Sequence, residues 1–257
     1  MTGIKNRYRA MVSTIMLDFL SYNIQAGIGT LRPRDYVMRA HRQLMSVRHK
    51  TDNLDKIADY IRPFDVVCLQ EVDLGGFRSG YVNQAEYLKA RAKFPYMATQ
   101  INRRLGRLSL HGNVILSRRH IDHIESHLLP GSVTGRGLLM AELGFKNPII
   151  IANTHFSLGE ADQRLQFEFI KEKLSPYKRV ILSGDFNCTP DSPVLRGFDE
   201  GCVLDMVTED YHHAFPSWKP SKAIDHIFVS KSFGPTSCEV EAVRYSDHLP
   251  LSMCIKT

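Results

Sequence analysis

Short hydrophobic runs recur along the chain, and polar stretches separate them. Each run has three to six residues, which is the length of a buried β-strand. The runs are Leu17–Tyr22, Val66–Leu69, Val114–Leu116, Leu138–Leu143, Ile149–Ala152, Val180–Leu182, Ile227–Val229 and Leu251–Ile255. The pattern therefore predicts a protein rich in strands.

Helical periodicity appears between some of these runs. One apolar face with the i, i+3, i+4, i+7 spacing is formed by Leu54, Ile57, Ala58 and Ile61. We expect Asp52 to cap the N-terminus of this helix and Pro63 to end it. A second periodic stretch contains Phe167, Ile170 and Leu174. Strands mixed with helices indicate an α/β or α+β protein.

No Gly/Ser-rich or Pro-rich linker divides the sequence, so we predict a single domain over residues 1–257. Within it, residues 1–15 are expected to be a flexible extension and residues 30–52 a basic insertion. Hydrophobic residues make up 43% and charged residues 23%, which are values typical of globular proteins and exclude a disordered, collagenous or coiled-coil chain.

The net charge is +6, from 33 basic and 27 acidic side chains. Part of this surplus lies between Arg32 and Lys50, where the basic residues include Arg34, Arg39, His41, Arg42, Arg48 and His49. This segment either meets a phosphate-rich substrate or forms a solvated surface, and the sequence leaves both interpretations open.

No hydrophobic run approaches the roughly 20 residues of a transmembrane helix. Lys5, Arg7 and Arg9 precede apolar residues that Ser13 and Asp18 interrupt, which is unlike a signal peptide. The five cysteines are scattered, and this spacing favours reduced thiols over disulfides or a zinc site. We therefore predict a cytoplasmic protein without a transmembrane segment.

Polar residues bound the predicted strands. Asn23, Glu71 and His155 follow three of the runs, and Asp185 and Asn187 follow a fourth. Two further pairs come before a run, namely Ile224–Asp225 and Asp247–His248. A sheet that brings several such side chains to one edge builds a site from rigid elements, as α/β folds commonly do.

This set of residues favours metal-assisted hydrolysis of a phosphate ester. The carboxylates of Glu71 and Asp247 and the amide oxygen of Asn23 are hard ligands that suit Mg²⁺ or Mn²⁺. Such an ion neutralises charge on phosphoryl oxygens, and a histidine oriented by Asp225 can accept a proton near neutral pH. Carboxylates at strand ends can also serve as helix caps, which is the structural alternative.

Taken together and in order, these segments resemble the endonuclease/exonuclease/phosphatase superfamily. The matching motifs are S-Y-N-I at 21–24, L-Q-E-V at 69–72, G-N-V-I-L-S at 112–117, N-T-H-F at 153–156, G-D-F-N at 184–187, I-D-H-I-F-V-S at 224–230 and S-D-H-L-P at 246–250. They span nearly the whole chain. The resemblance implies a DNase I-like four-layer α/β sandwich, in which two packed mixed β-sheets are flanked by helices.

The resemblance also implies roles for individual residues. Glu71 is similar to the principal metal ligand of the family, and Asn23 and Asp247 complete or support the metal shell. The implied cofactor is Mg²⁺ or Mn²⁺.

His155 resembles the histidine that contacts the scissile phosphate, while Asp185 and Asn187 would position the attacking water and stabilise the transition state. Asp225 would pair with His248, which is read as general base or as a partner of the phosphoryl oxygens. Whether Asp185 or His248 takes the proton stays open.

Other residues carry two interpretations. Asn113 either reaches the phosphate or caps a turn, and Arg136 either clamps the phosphate or lies on the surface. Phe215 and Trp218 either stack on a substrate or pack beneath a loop. Strand alternation turns His226 away from Asp225, so we leave it out of the site.

The resemblance implies a phosphate ester as substrate and does not select one. The positive charge favours a nuclease or nucleotide phosphodiesterase over an enzyme acting on a phospholipid or inositol-phosphate head group, although basic residues also serve at an anionic membrane surface. A catalytically silent binding protein is the third alternative, and the intact residue set argues against it. We expect a monomer.

Overall fold

A computed structural model describes residues 16–29, 47–76, 81–105, 109–196, 204–234 and 236–257. The predicted flexible extension at residues 1–15 lies outside the described residues, as do residues 30–46 of the basic segment. Among the described helices, none is long and apolar enough to cross a membrane.

The described strands form two six-stranded sheets. In spatial order, the first sheet contains β11 (Cys238–Val240), β12 (Leu251–Lys256), β1 (Met16–Asn23), β2 (Val66–Asp73), β4 (Ser109–Ser117) and β3 (Tyr96–Leu105). The second contains β5 (Ile121–Leu128), β6 (Gly137–Leu143), β7 (Ile149–His155), β8 (Val180–Asp185), β10 (Asp225–Ser230) and β9 (Leu204–Met206). Each sheet is mixed, because β1 and β2 run parallel, as do β7 and β8, while their other neighbours are antiparallel.

Helices cover the outer face of each sheet. The described α-helices are α1 (Val47–Ile61), α2 (Gln84–Ala92), α3 (Glu160–Leu174) and α4 (Pro193–Arg196), and short 3-10 helices are formed by Gln25–Gly27 and Lys231–Phe233. Three hydrophobic clusters separate the layers: one joins α1 and α2 to the first sheet, one fills the space between the sheets, and one joins α3 and α4 to the second sheet. The predicted four-layer sandwich is confirmed.

The helix α1 begins earlier than the sequence predicted. It starts at Val47, so Asp52 lies inside the helix and the prediction that it forms the N-cap is wrong. The predicted apolar face is buried, with Leu54 at 2% and Ile57 at 0% exposure. Apolar spacing marks the part of a helix that packs on the sheet, and so it locates that face better than the first turn.

Buried amides tie the two sheets together where the parallel strands end. Gln70 Nε2 donates to Asn153 Oδ1 at 2.7 Å, and Asn153 Nδ2 donates to the carbonyl oxygens of Leu69 and Val114 at 2.9 Å. Because the C-terminal ends of β1, β2, β7 and β8 are held at one edge of the sandwich, the polar residues that follow them are brought together there.

Candidate active site

Asp185 lies at the centre of the polar cluster. It ends β8, where it pairs with His155 of β7 and Asp225 of β10. Its Oδ2 accepts a hydrogen bond from Asn23 Nδ2 at 3.0 Å and lies 3.5 Å from His155 Nε2 and 3.7 Å from His248 Nε2. The structure thus brings together five of the predicted site residues, and all five are buried.

His248 and Asp225 form a buried pair. His248 Nδ1 lies 2.8 Å from Asp225 Oδ2, and because an ionised carboxylate only accepts hydrogen bonds, Nδ1 carries the hydrogen. Burial alone would lower the pKa of His248, but the negative charges of Asp225 and Asp185 outweigh it and raise that pKa to about 10. The half-buried ring of Phe215 packs on the imidazole, with 4.8 Å between ring centroids. These contacts hold Nε2 towards Asp185.

His155 stands in a different electrostatic environment. Burial lowers the pKa of His155 well below its ordinary value, and the positive charge of Arg136 lowers it further. Arg136 immediately precedes Gly137, the residue that pairs with His155 across β6 and β7. Arg136 is half-buried, and its positive charge acts on the imidazole that is expected to meet the phosphate.

Asn187 is fixed two residues beyond Asp185. Its backbone N–H donates to Asp185 Oδ1 at 3.0 Å, and its Nδ2 donates to the carbonyl oxygen of Phe156 at 3.0 Å. The backbone at Asn187 is left-handed, with φ of +52°. Asparagine tolerates this conformation better than most residues, which suits it to the sharp turn after the strand.

Glu71 sits in a β-bulge. Between Leu69 and Val72 the strand β2 has two residues where β4 has only Asn113, and Glu71 takes a left-handed φ of +54°. Bulges of this kind redirect a side chain out of the regular alternation. The half-buried Glu71 therefore faces the cluster from the first sheet, close enough for its charge to raise the pKa of Asp185.

Asn113 connects the sheets. Its Nδ2 donates to the carbonyl oxygen of Gly137 at 3.0 Å and to that of Asn153 at 3.4 Å, and the residue is 1% exposed. Its donor group is therefore occupied by backbone of the opposite sheet. Asn113 therefore ties β4 to β6 and to β7, the strand that carries His155, while its Oδ1 is buried without a hydrogen-bond partner among the described residues.

Asp247 is held by a residue that the sequence analysis missed. Gln25 Nε2 donates to Asp247 Oδ2 at 2.8 Å, and the backbone N–H of Gln25 donates to Asn23 Oδ1 at 3.1 Å. Ser246 Oγ donates to Asp247 Oδ1 at 3.1 Å. The only signal in the sequence is that Gln25 stands two residues after Asn23, and glutamine at that place carries no motif.

His226 lies on the other face of β10, away from the cluster. Its Nε2 donates to the carbonyl oxygen of Cys188 at 2.8 Å, so its Nδ1 accepts from the hydroxyl of Thr208, also at 2.8 Å. Burial lowers the pKa of His226 to about 4. Both nitrogens are used in structural hydrogen bonds, which leaves His226 outside the site.

The donor groups of the cluster fit a hard divalent cation. Burial raises the pKa of Asp185, the charge of His248 lowers it, and the nearby charges of Asp225 and Glu71 raise it again. Buried carboxylates that destabilise one another's charge form a site that a cation stabilises. Potential ligand atoms of Asp185, Asp225 and His248 lie within 4.8 Å of one another. The amide oxygen of Asn23 keeps a second lone pair besides the one that meets Gln25.

A four-layer sandwich with an Asp–His pair, a second histidine and several carboxylates at one edge defines a phosphoric ester hydrolase. The chain belongs to the Endonuclease/Exonuclease/phosphatase family, whose sequence profile matches residues 20–248. The predictions of the family and of the enzyme class are confirmed.

The chain is similar to several known proteins. The chain is 28% identical over 225 residues to the uncharacterized protein YbhP of Escherichia coli K12, covering 77% of this chain and 87% of YbhP. It superposes with a TM-score of 0.74 on an endonuclease/exonuclease/phosphatase from Beutenbergia cavernae, at 20% identity over 94% of this chain and 71% of that one. A mannosyl-6-phosphatase from Bacteroides thetaiotaomicron gives a TM-score of 0.69, at 18% identity over 92% and 98% of the two chains. These structural likenesses show the fold.

Proposed function

We propose that this protein is a divalent-metal-dependent phosphodiesterase or nuclease, in which water attacks the phosphorus of a nucleic-acid or nucleotide substrate. The observation that carries the proposal is the convergence on Asp185 of Asn23, His155 and His248, with Asp225 bonded behind His248. Two imidazoles and a carboxylate at one point provide donors for phosphoryl oxygens next to an acceptor for a proton of water.

Each side chain has a role that follows from its contacts. Asp185 orients the attacking water and takes its proton, while the Asn187 N–H holds the opposite carboxylate oxygen. His248 faces two carboxylates, Asp225 and Asp185, so its imidazolium form is stabilised and it donates to a phosphoryl oxygen. His155 provides a second donor beside Arg136.

Glu71 is the principal ligand for Mg²⁺ or Mn²⁺ in this proposal, and Asn23 and Asp247 complete the set. When bound, such an ion neutralises negative charge on the phosphoryl oxygens and promotes the ionisation of water. Gln25 donates hydrogen bonds to both Asn23 and Asp247, which supports the proposal that these two ligands belong to one site.

The substrate class rests on charge. The net charge of +6 and the basic segment at 32–50 favour a polyanion such as nucleic acid. The structural similarity to a mannosyl-6-phosphatase from Bacteroides thetaiotaomicron supports hydrolysis of a phosphate ester, without indicating which one. We further propose that the protein is a monomer and that it is cytoplasmic. The cytoplasmic location is supported by the scattered cysteines, of which Cys68, Cys188, Cys238 and Cys254 are free thiols in the described part of the chain.

The reaction is tested with bis-p-nitrophenyl phosphate in the presence of Mg²⁺ or Mn²⁺, and again after chelation by EDTA. We expect turnover that EDTA abolishes and added metal restores. Glu71→Ala and His248→Ala should each remove most of the activity. The control is His120→Ala, because His120 is exposed and lies at the opposite end of the second sheet, bonded to Asp122. Metal-independent turnover would refute the site assignment.

The substrate is tested with a panel of DNA, RNA, nucleotide, phospholipid and inositol-phosphate substrates. Replacing Arg34, Arg39 and Arg42 by glutamine should weaken binding of an oligonucleotide and flatten its salt dependence. Unchanged binding would make the segment ordinary surface. Hydrolysis confined to phospholipid or inositol phosphate would establish the alternative substrate class.

A further inference from the structure

Gln25 touches two of the proposed metal ligands at once. Its side-chain Nε2 donates to Asp247 Oδ2 at 2.8 Å, and its backbone N–H donates to Asn23 Oδ1 at 3.1 Å. These two ligands come from distant parts of the chain, one after β1 and one in the segment before β12. Gln25 therefore links the two ligands through two hydrogen bonds.

The backbone at this point is unusual. Gln25 has φ of +47° and Ala26 has φ of +50°, and Gly27 follows with φ of +67°. Side-chain-bearing residues rarely adopt this left-handed conformation, and they cluster at functional sites when they do. Four of the six non-glycine residues with positive φ in the described ranges belong to this site, namely Gln25, Ala26, Glu71 and Asn187.

The carboxamide of Gln25 is only half satisfied. The residue is 1% exposed, and its Oε1 is buried without a hydrogen-bond partner among the described residues. Gln84 provides the contrast beside the same turn, because its Nε2 donates to the carbonyl oxygen of Ala26 at 2.7 Å and its Oε1 accepts from Asp73 N at 3.0 Å. A buried acceptor without a donor calls for a ligand or a water molecule to supply one.

We propose that Gln25 is a positioning residue of the divalent-metal site, acting through both ends of its carboxamide. Nε2 holds Asp247 in the orientation that presents its remaining lone pairs to the ion, and Oε1 accepts a hydrogen bond from a water molecule of the ion's hydration shell. Mg²⁺ keeps several of its waters when it binds to proteins, so such a donor is available. The inference rests on the proposed function, because it requires the metal.

The test compares metal affinity in the substrate-free protein. Gln25→Met keeps the length of the side chain and the Cβ that sets the backbone strain, but it removes both polar atoms. Replacement of residues that orient metal ligands typically weakens binding by about 10- to 100-fold, and we expect the Kd for Mn²⁺ to rise by that factor. Isothermal titration calorimetry measures it directly, and electron paramagnetic resonance of free Mn²⁺ provides a second readout.

Gln84→Met is the matched control. Gln84 is a buried glutamine that contacts the same turn, and the substitution removes two of its hydrogen bonds. Neither of these bonds reaches a proposed metal ligand. We expect this variant to lose stability and to keep the wild-type Mn²⁺ affinity. Equal weakening in both variants would show that the rigidity of the turn sets the affinity, and that result would overturn the role of the Gln25 carboxamide.

Activity as a function of Mn²⁺ concentration gives an independent readout. If Gln25 positions the metal, the activity curve of Gln25→Met shifts to higher Mn²⁺ and reaches a plateau near the wild-type kcat. A lowered plateau at unchanged Mn²⁺ affinity would contradict the proposal.

Two further arms keep the result decisive. If Gln25→Met does not fold, Gln25→Asn serves instead, since asparagine accepts the left-handed backbone but is too short to reach Asp247 in the same way. The same loss of affinity is expected, and wild-type affinity in either variant would overturn the inference. If the wild-type protein itself binds no divalent metal and shows no EDTA-sensitive hydrolysis, the proposed function fails rather than the role of Gln25 alone.

Discussion

The buried imidazole of His226 should make the stability of the protein depend on pH. Its two ring nitrogens bond to Thr208 and Cys188, and the bond to Cys188 anchors the turn that carries Asn187. His226 is 0% exposed, so protonation in the folded state would place a charge where water cannot solvate it. The pKa of His226 in the folded protein is accordingly lowered to about 4.

The size and sign of the effect follow from this pKa. In the unfolded chain the imidazole takes up its proton near its ordinary pKa of 6.5, whereas the folded protein binds it only near pH 4. The contribution to stability is therefore complete above pH 6.5 and is lost as the pH falls from 6.5 to about 4. Because each pKa unit corresponds to about 1.4 kcal/mol, the loss from this group amounts to about 3 kcal/mol.

This loss can be measured by urea unfolding at pH values between 7.5 and 4, spaced about half a pH unit apart. The free energy of unfolding is obtained from the unfolding midpoint at each pH. The wild-type free energy of unfolding should fall steeply through this range, and His226→Gln should remove about 3 kcal/mol of that fall while lowering stability at neutral pH. His213→Gln, at an exposed position, should keep the wild-type profile. If the stability of His226→Gln fell with pH as steeply as that of the wild-type protein, protonation of His226 would not be the cause of the fall.

Three further variants probe the site and its supports. Asp225→Asn removes the charge 2.8 Å from His248, so kcat should fall by about 10²- to 10⁴-fold in steady-state assays. Gly184→Ala would place a Cβ 2.0 Å from the Thr154 carbonyl oxygen at a φ of +156°, and thermal unfolding should show a loss of about 2–4 kcal/mol. Asn187→Gly keeps a left-handed backbone but removes the hydrogen bond from the carboxamide to the Phe156 carbonyl oxygen, which fixes the turn that holds Asp185, so kcat and the melting temperature should both fall. A wild-type rate in the first or third variant, or a wild-type melting temperature in the second, would contradict these assignments.

The fold could be predicted from the sequence as far as the strands lie inside a sheet, with a neighbouring strand on each side. All eight predicted runs lie in strands of the structure. The four strands without such a run are β3, β5, β9 and β11, and these are the edge strands of the two sheets. An edge strand has one open side, so it carries polar residues; in β5 most side chains are exposed. Hydrophobic runs in the sequence therefore identify the interior strands of a sheet but not its edge strands.

The site was predictable where a residue ends a strand. His155 and Asp185 end neighbouring parallel strands, and parallel strands deliver their C-terminal residues to one edge. Gln25 could not be predicted in this way, because its position depends on a left-handed turn that closes against Asp247, 222 residues away. The orientation of the Glu71 side chain likewise depends on a β-bulge. The bulge arises from the pairing between β2 and β4 and cannot be recognised from the local periodicity of the sequence.

In the proposed mechanism, Asp185 is the proton acceptor around which a metal-dependent hydrolysis is organised. This role can be tested by comparing the rate of bis-p-nitrophenyl phosphate hydrolysis by Asp185→Asn with that of the wild-type protein at saturating Mn²⁺. Asparagine keeps the shape of the side chain but cannot take a proton from water, so kcat should fall by at least about 10²-fold. A variant that hydrolyses the ester at the wild-type rate would contradict the account.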